Sequence, residues 1–178
     1  MDTINYSVVE SPRGKMRRRV DQERFQSLLK DHQRIVFKVA NTYCRVEEDQ
    51  RDLVQEISYQ LWRAFPAYDE ARSFSTWMYR IALNVAISFV RRDGHRQGNT
   101  VSLDRETVAP AQELDHRVDA LRQFIDQLDD LNRALLLLYM EERSYQEIAE
   151  ILGISETNVG TKISRLKQRI RTEIATTD

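Results

Sequence analysis

The sequence predicts an all-α protein made of two small helical domains that a flexible linker joins. Three observations support this fold class. Apolar residues recur every three to four positions through most of the chain, which is the spacing of one helix face. The 178 residues include only five glycines and three prolines, too few for a turn-rich sheet protein. The periodicity is lost between residues 93 and 116, where Gly94, Gly98 and Pro110 interrupt the chain, so we interpret this stretch as the linker.

The first domain is expected over residues 20–92, after a basic arm at residues 1–19. The arm lacks helical periodicity and contains Pro12 and a run of three arginines, so we predict that it is mobile. From Asp21, apolar residues follow helical spacing as far as about Tyr43. This spacing predicts the first helix of the domain.

Two further helices are predicted to complete this domain. One begins at Glu47, where acidic residues suit a first helical turn, and ends before Pro66. The next runs from Phe74 to Arg92. We expect its core-facing stripe to be Trp77, Ile81, Val85 and Phe89.

This third helix also carries aromatic rings, an amide and cations. These groups suit a splayed or single-stranded nucleic acid. They belong to Phe74, Trp77, Tyr79, Asn84, Arg91 and Arg92. Aromatic residues at helical spacing are more often core, and terminal arginines are usually solvated, so the stretch by itself favours a packing role.

The second domain is expected over residues 117–174 and ends in a helix-turn-helix pattern. Ser144 and Glu147 have the spacing of a capping box, Gly153 is suited to a left-handed helix stop, and Ser155 can cap the last helix. The inner faces of the two helices are expected to be Ile148, Ala149 and Leu152 in the first, and Val159, Ile163, Leu166 and Ile170 in the second.

The last helix would enter the major groove of DNA by its N-terminal part. Its outward residues are expected to be Glu156, Thr157, Asn158, Thr161, Lys162 and Arg165. Lys167 and Arg169 are better placed for phosphates. An amphipathic helix with a solvated basic face is the alternative, but the glycine turn and the excess of cations favour DNA binding. Gly160 either permits a close approach to the sugar-phosphate backbone or only weakens the helix, by about 1 kcal/mol.

Several classes of function are excluded by composition. The single Cys44 rules out an intramolecular disulfide and a cysteine-based metal site, and the three histidines are scattered, so we expect no metal and no cofactor. There is no phosphate-cradling glycine loop or nucleophile motif, so we expect no catalytic residues. No apolar run approaches a membrane span and no signal-peptide core is present, which predicts a cytoplasmic protein without membrane insertion.

Four segments together resemble the extracytoplasmic-function (group IV) sigma factors of bacterial RNA polymerase. They are DLVQE at 52–56, FSTWMYRIALN at 74–84, VSLD at 101–104 and SYQEIAEILGIS at 144–155. The resemblance covers about residues 21–174 and implies that 20–92 is sigma region 2 and 117–174 is sigma region 4. It also implies a promoter-specificity subunit that assists promoter melting, responds to stress or another signal, and is controlled by an anti-sigma factor.

The resemblance also implies roles for individual residues and three partners: core polymerase, promoter DNA and an anti-sigma factor. Region 2 would bind the clamp helices of polymerase through Asp52, Leu53, Gln55, Glu56 and Ile57. It would bind and help melt the minus-ten element through Gln60, Ala64, Tyr68, Phe74, Trp77, Tyr79, Asn84, Arg91 and Arg92. Region 4 would hold the polymerase flap tip and read the minus-thirty-five element with Ser155, Glu156, Thr157, Asn158, Thr161, Lys162, Arg165, Lys167 and Arg169.

Two other functions compete with this interpretation. A stand-alone helix-turn-helix regulator would explain residues 144–171, but it would leave the aromatic helix and DLVQE without a role and would want a dimerisation element. A helical adaptor that binds only proteins would explain the helices, but it would give the C-terminal cations no function.

Overall fold

The computed structural model describes residues 12–97 and 123–175, with the side chains of 21–92 and 123–172. These residues are helical and contain no strand, so the predicted all-α class is confirmed. The helices are α1 Pro12–Tyr43, α2 Glu47–Ala64, α3 Phe74–Gln97, α4 Asp130–Met140, α5 Tyr145–Leu152 and α6 Glu156–Ala175. A short 3₁₀ turn, Phe65–Ala67, follows α2, and residues 123–126 form a helical turn before α4.

The first bundle consists of α1, α2 and α3. Apolar residues at helical spacing in α2, Leu53, Ile57 and Leu61, are fully buried against its neighbours. The core face of α3 is Met78, Tyr79, Ala82, Leu83 and Ala86. The predicted stripe of Trp77, Ile81, Val85 and Phe89 is only half buried, so that prediction was wrong. The reason is that α3 packs against α1, α2 and α5 together, and all three determine which side is covered.

Two helices extend beyond their predicted ends. Helix α1 begins at Pro12 rather than Asp21, because proline is tolerated in a first turn and the arginines and lysine that follow favour helix. The rest of the predicted mobile arm, residues 1–11, lies outside the described residues. Helix α3 continues to Gln97 through the start of the predicted linker, and residues 98–116 also lie outside the described part.

The second bundle contains the predicted helix-turn-helix in α5 and α6. The Ser144 hydroxyl accepts a hydrogen bond from the Glu147 backbone N–H, at 3.2 Å, and Glu147 accepts one from the Ser144 backbone N–H, at 2.9 Å. Gly153 adopts the left-handed conformation, with φ of 68°, and ends α5. The Ser155 hydroxyl accepts from the Asn158 N–H at 3.2 Å and caps α6. All three predicted local features are therefore present.

The inner faces of the motif agree in part with the prediction. Val159, Ile163 and Leu166 of α6 are buried as expected, and Ile170 packs against them half exposed. In α5 the buried pair is Ile148 and Ile151, whereas Ala149 and Leu152 are only half buried. The buried face is thus rotated from the predicted one.

The two bundles pack against each other. Helix α3 lies against α5, and α1 approaches α4, so the buried residues of both bundles form one hydrophobic core. The Tyr43 hydroxyl at the end of α1 donates to the backbone carbonyl of Asp130 in α4, at 3.0 Å. Burial raises the pKa of Tyr43 far above its ordinary value.

Among the described helices, none combines the length and the apolar character that a membrane crossing requires.

Candidate nucleic-acid interface

An aromatic cluster forms where the turn after α2 meets the start of α3. The ring centroids of Tyr68 and Trp77 are 5.0 Å apart, and the Phe74 ring lies 5.3 Å from Tyr68 and 5.2 Å from Trp77. The Tyr68 hydroxyl donates to the carbonyl of Arg72 at 2.7 Å and so fixes the connecting loop. Phe74 is buried beneath the other two rings, which are half exposed. The cluster therefore holds two half-exposed rings in place, and aromatic rings of this kind suit stacking with bases.

A polar groove lies between α2 and α3, on another part of the same bundle. It encloses about 280 Å³ and brings together Gln60, Asn84 and Arg92 with Glu56. The Gln60 amide donates to the Glu56 carboxylate at 2.8 Å, while Asn84 is exposed. Two amides can pair with a base edge and the Arg92 guanidinium can meet a phosphate, so the groove is suited to a nucleotide. Glu56 was predicted as a polymerase contact, and the structure also makes it part of this groove.

Tyr79 and Arg91 lie in neither the aromatic cluster nor the polar groove. Tyr79 is fully buried, its hydroxyl donates to Glu141 at 3.3 Å, and the guanidinium of Arg143 lies 5.1 Å from its ring centroid. Burial, together with the negative charge of Glu141, raises the pKa of Tyr79 to about 12. The Arg91 Nε donates to the Asp130 carboxylate at 2.9 Å. The expectation that Tyr79 lies on an open surface is thus wrong for this arrangement of the bundles.

The DLVQE segment divides into a buried and an exposed side. Leu53 and Ile57 are fully buried in the first bundle, so they cannot touch a partner without unpacking it. Asp52 and Gln55 are exposed, and Glu56 is half buried. The pattern of two apolar residues four positions apart is that of a core face, and this explains why these two positions were misassigned as contacts.

Large exposed apolar side chains near DLVQE were missed by the sequence reasoning. On α2, Tyr59 is 57% exposed and Trp62 is 39% exposed, at four and seven positions after Gln55. Phe37 of α1 is 50% exposed beside a groove of about 260 Å³ that Val54 also lines. The available signal was the helical spacing from Gln55, which places Tyr59 and Trp62 on the exposed face of α2.

The N-terminal half of α6 presents an exposed polar face. The predicted base-reading residues that are exposed are Ser155, Glu156, Thr157, Asn158, Thr161 and Arg165, and Lys162 is half buried. Two predicted phosphate contacts instead cover aromatic rings. The Lys167 ammonium lies 4.4 Å from the Tyr139 ring centroid, and the Arg169 guanidinium lies 5.3 Å from that of Phe124.

Gly160 faces the protein interior of the motif. A Cβ atom added there would lie 3.5 Å and 3.7 Å from two ring carbons of Tyr145, at ordinary contact distance. Between α4 and α6, Leu136, Met140 and Ile170 line an apolar groove of about 200 Å³. Met140 at its rim is 60% exposed. The second bundle therefore has a polar face and a separate apolar one.

Within the described residues, no three histidine, cysteine or carboxylate side chains are grouped as metal ligands would be. His32 is instead engaged locally, with its ring Nδ1 3.0 Å from the carbonyl of Leu28 and its ring 5.2 Å from that of Phe74. Cys44 is buried, as a small packed residue would be.

Comparison with known proteins places both bundles in one family. Residues 28–96 match the family model of sigma-70 region 2, and residues 119–170 match that of sigma-70 region 4. The chain is 31% identical over 132 residues to the RNA polymerase sigma factor YlaC of Bacillus subtilis (strain 168), covering 70% of this chain and 76% of YlaC. It is 28% identical over 128 residues to the ECF RNA polymerase sigma factor SigM of the same organism, covering 67% of this chain and 76% of SigM.

A solved structure has the same fold. The sigma factor RpoE, in a co-crystal with the anti-sigma factor NepR from Bartonella quintana, matches with a TM-score of 0.71 and 18% identity, over 86% of this chain and 98% of RpoE. The fold and the two matched regions define a sigma-type transcription initiation factor, a class that is non-catalytic. Within that class, the chain belongs to the extracytoplasmic-function sigma factors of RNA polymerase.

Proposed function

We propose that this sigma factor recruits core polymerase to its promoters through four separate surfaces of the two bundles, in the cytoplasm and without catalytic residues of its own. The observation that carries the proposal is the presence, in one chain, of a surface suited to unstacked DNA and a helix suited to duplex DNA. A stand-alone regulator needs only the second, and a protein-only adaptor needs neither.

Duplex recognition is assigned to the exposed N-terminal half of α6. Arg165 can pair with guanine, Asn158 with adenine and Glu156 with cytosine, so these side chains would select the minus-thirty-five sequence. Lys167 and Arg169 would add affinity that decreases with salt, but each would have to leave an aromatic ring to do so.

Melted-strand recognition is assigned to the first bundle. An unstacked base would enter the groove of Gln60 and Asn84, while neighbouring bases stack on Tyr68 and Trp77. Phe74 would support the rings from below, and Ala64 would border the same region. Arg92 would contact the backbone beside the groove. Taking a base out of the stack costs a few kcal/mol, which stacking on rigid rings can offset.

Polymerase docking is assigned to the exposed side of α2 and to the apolar groove of the second bundle. The clamp helices would contact Asp52 and Gln55, with Tyr59 and Trp62 as the apolar part of the same face. Leu53 and Ile57 would act only by holding α2 in place. The flap tip would insert an apolar side chain beside Met140.

An anti-sigma factor is the proposed regulator. The solved relative RpoE is bound to one in its crystal, and this chain has the same fold. The exposed apolar side chains of α1 and α2, including Phe37, are the surface that such a partner would cover.

We propose two changes to the domain limits predicted from the sequence. The region 4 domain is kept at 117–174, whereas both limits of the region 2 domain predicted at 20–92 are revised, and with them the start of the linker predicted at 93–116. Because α3 continues to Gln97, the linker would begin after that residue. The last part of the basic arm predicted at 1–19, from Pro12 onward, would belong to α1.

The test is transcription with core polymerase. The purified full chain is added to core polymerase, complex formation is measured by gel filtration, and run-off transcripts are counted from a library of genomic promoter fragments. We expect a stable complex and a small set of transcribed promoters. The variant Asp52→Ala/Gln55→Ala should weaken the complex, whereas Glu48→Gln, on an exposed residue one turn earlier, should not. If neither a complex nor promoter-dependent transcripts are observed, the proposal is refuted. DNA binding that needs no polymerase would favour the stand-alone regulator.

A further inference from the structure

The loop of residues 68–73, between the 3₁₀ turn and α3, carries one ring of the aromatic cluster. It begins with Tyr68 and continues into a tight turn. In this turn the Asp69 side chain accepts a hydrogen bond from the Ala71 N–H, and the Asp69 carbonyl accepts one from the Arg72 N–H, each at 3.0 Å. These bonds fix the local shape of the loop, and both lie within it.

Glu70, in the turn of this loop, is joined to α1 by an ion pair. Its carboxylate accepts a hydrogen bond from the guanidinium of Arg24, 46 positions earlier in the chain. This hydrogen bond holds the pKa of Glu70 below its ordinary value, because it favours the carboxylate form. The loop is therefore attached to a helix other than the two helices that it connects.

Arg24 also lies against the ring on which Tyr68 is stacked. Its guanidinium carbon is 5.9 Å from the Phe65 ring centroid, within the roughly 6 Å range of a cation–π contact. The Phe65 and Tyr68 rings are 6.0 Å apart, with 19° between their planes. The next residue on α1, Phe25, is buried and packs its ring 5.2 Å from that of Phe65, which fixes the place of Arg24 on the helix. One side chain thus contacts both the loop and the ring behind Tyr68.

We propose that Arg24 is a positioning residue for single-strand recognition. By pairing with Glu70 and lying on Phe65, it holds the loop in place. The Tyr68 ring then stays beside that of Trp77, 5.0 Å away, before a strand arrives. Preorganisation of this kind raises affinity, because the rings need no ordering when a base stacks on them. The role in recognition rests on the proposed function above, whereas the attachment of the loop to α1 does not.

The expected effect is modest because both partners are largely exposed. The side chains of Arg24 and Glu70 are 43% and 67% exposed. Exposed ion pairs shift an equilibrium by about two- to five-fold, so the loop should leave the cluster more often by that factor without the pair. Surface loops have the lowest local stability in a fold, so such a shift changes how often the cluster is complete. Arg72, in the same loop, lies 3.6 Å from the Glu150 carboxylate of α5, and both residues stay unaltered in the variants below.

The first experiment measures the position of the loop through Trp77, one of two tryptophans in the chain. In a Trp62→Phe background, acrylamide quenching of Trp77 fluorescence reports how far the Tyr68 ring covers it. Arg24→Glu and Glu70→Arg each bring like charges together, so each should increase the quenching constant. The double variant remakes the pair with reversed polarity and should return the constant most of the way.

This charge exchange distinguishes loss of the pair from loss of the fold. Restoration should be incomplete, because a carboxylate at position 24 does not remake the contact with the Phe65 ring. Single variants that are quenched no more than the unaltered pair would overturn the inference. A double variant that is protected no better than the single variants would overturn it as well.

The second experiment measures strand affinity by fluorescence anisotropy of a fluorescein-labelled oligodeoxythymidylate, with the full chain and no polymerase. Stacking on aromatic rings tolerates any base, so this probe requires no knowledge of the promoter. Glu70→Gln removes the pair together with one negative charge. Asp69→Asn, the matched control, removes the same charge one position earlier and keeps an oxygen that accepts from the Ala71 N–H. Relative to this control, Glu70→Gln should bind the strand about two- to five-fold more weakly.

The control separates positioning from charge alone. Removing a carboxylate beside a polyanion strengthens binding by itself, and Glu70→Gln and Asp69→Asn share that effect. Equal affinity of the two variants, or tighter binding by Glu70→Gln, would overturn the inference. Absence of strand binding by the unaltered chain would overturn it too.

Failure of the inference is distinguishable from failure of the proposed function. If the chain initiates transcription with core polymerase but the variants change neither Trp77 quenching nor strand affinity, the inference alone is refuted. If quenching and strand affinity both respond as stated but no promoter is transcribed, the positioning role of Arg24 stands and the proposed function is refuted.

Discussion

Replacing Gly160 with alanine distinguishes the two roles that its place in the recognition helix allows. Gly160 lies inside α6, where glycine is about 1 kcal/mol less favourable than alanine. The added Cβ would meet the Tyr145 ring at 3.5 Å and 3.7 Å, ordinary contact distances, so no repacking cost offsets the gain in helix stability. Gly160→Ala should therefore raise the free energy of unfolding by about 1 kcal/mol, which corresponds to roughly 2–4 °C in Tm for a chain of this size.

Gly153 is the matched control because it lies in the same motif and should respond in the opposite direction. No atom lies within 4 Å of a Cβ added there, so sterics play no part. Its φ of 68° is left-handed, and a side chain in that conformation costs about 1–2 kcal/mol. Gly153→Ala should therefore lower the unfolding free energy, although it makes the same chemical change as Gly160→Ala.

The assays are thermal unfolding followed by circular dichroism and titration of a labelled minus-thirty-five duplex. Gly160→Ala should leave duplex affinity within about two-fold, because the added methyl points at Tyr145 and not away from the protein. A loss of about ten-fold or more in duplex affinity with unchanged stability would refute this reasoning. It would show instead that glycine is needed for approach to the sugar-phosphate backbone.

The remaining predictions concern side chains at the proposed surfaces. Asn84→Ala should lower the affinity of holoenzyme for a single-stranded minus-ten oligonucleotide by about two- to ten-fold, the value of one hydrogen bond. Core binding measured by gel filtration should be unchanged. Open-complex formation equal to that of the unaltered chain would contradict this role. Arg165→Ala should weaken minus-thirty-five duplex binding by about 1–3 kcal/mol at one base position, whereas Lys167→Ala should weaken all sequences alike and reduce the salt slope by about 1 in a fluorescence titration. The raised pKa of Tyr79 means that its contribution to stability is complete below about pH 10 and is lost as pH increases toward about 12. Urea unfolding across this range should show a decrease that Tyr79→Phe makes smaller, and identical pH profiles would count against the burial of this hydroxyl.

Local features were predictable from the sequence because neighbouring residues determine them. The capping box of Ser144 and Glu147 needs only a spacing of three, and the stop at Gly153 needs only a residue that tolerates a positive φ. In each case the physical cause lies within one helical turn of the residue concerned.

The burial of Tyr79 could not be predicted in the same way. Helix α3 has apolar residues on almost every side, so its periodicity does not determine which face is covered. Tyr79 is covered by contacts with Glu141 and Arg143, more than sixty residues away in the chain, and no spacing rule connects residues so distant. The same limit applies to Lys167, whose ring partner Tyr139 lies on a different helix.

The continuous hydrophobic core makes the stability of the second bundle depend on its contacts with the first. Residues 123–175 form a unit close to the smallest that fold alone, since a domain of roughly 60 residues buries only about 60% of its unfolded surface. Separating the bundles would expose apolar residues that now pack in one core, and a partner that held them apart would have to cover that surface. A chain whose bundles were apart and uncovered would therefore be the form most exposed to proteases.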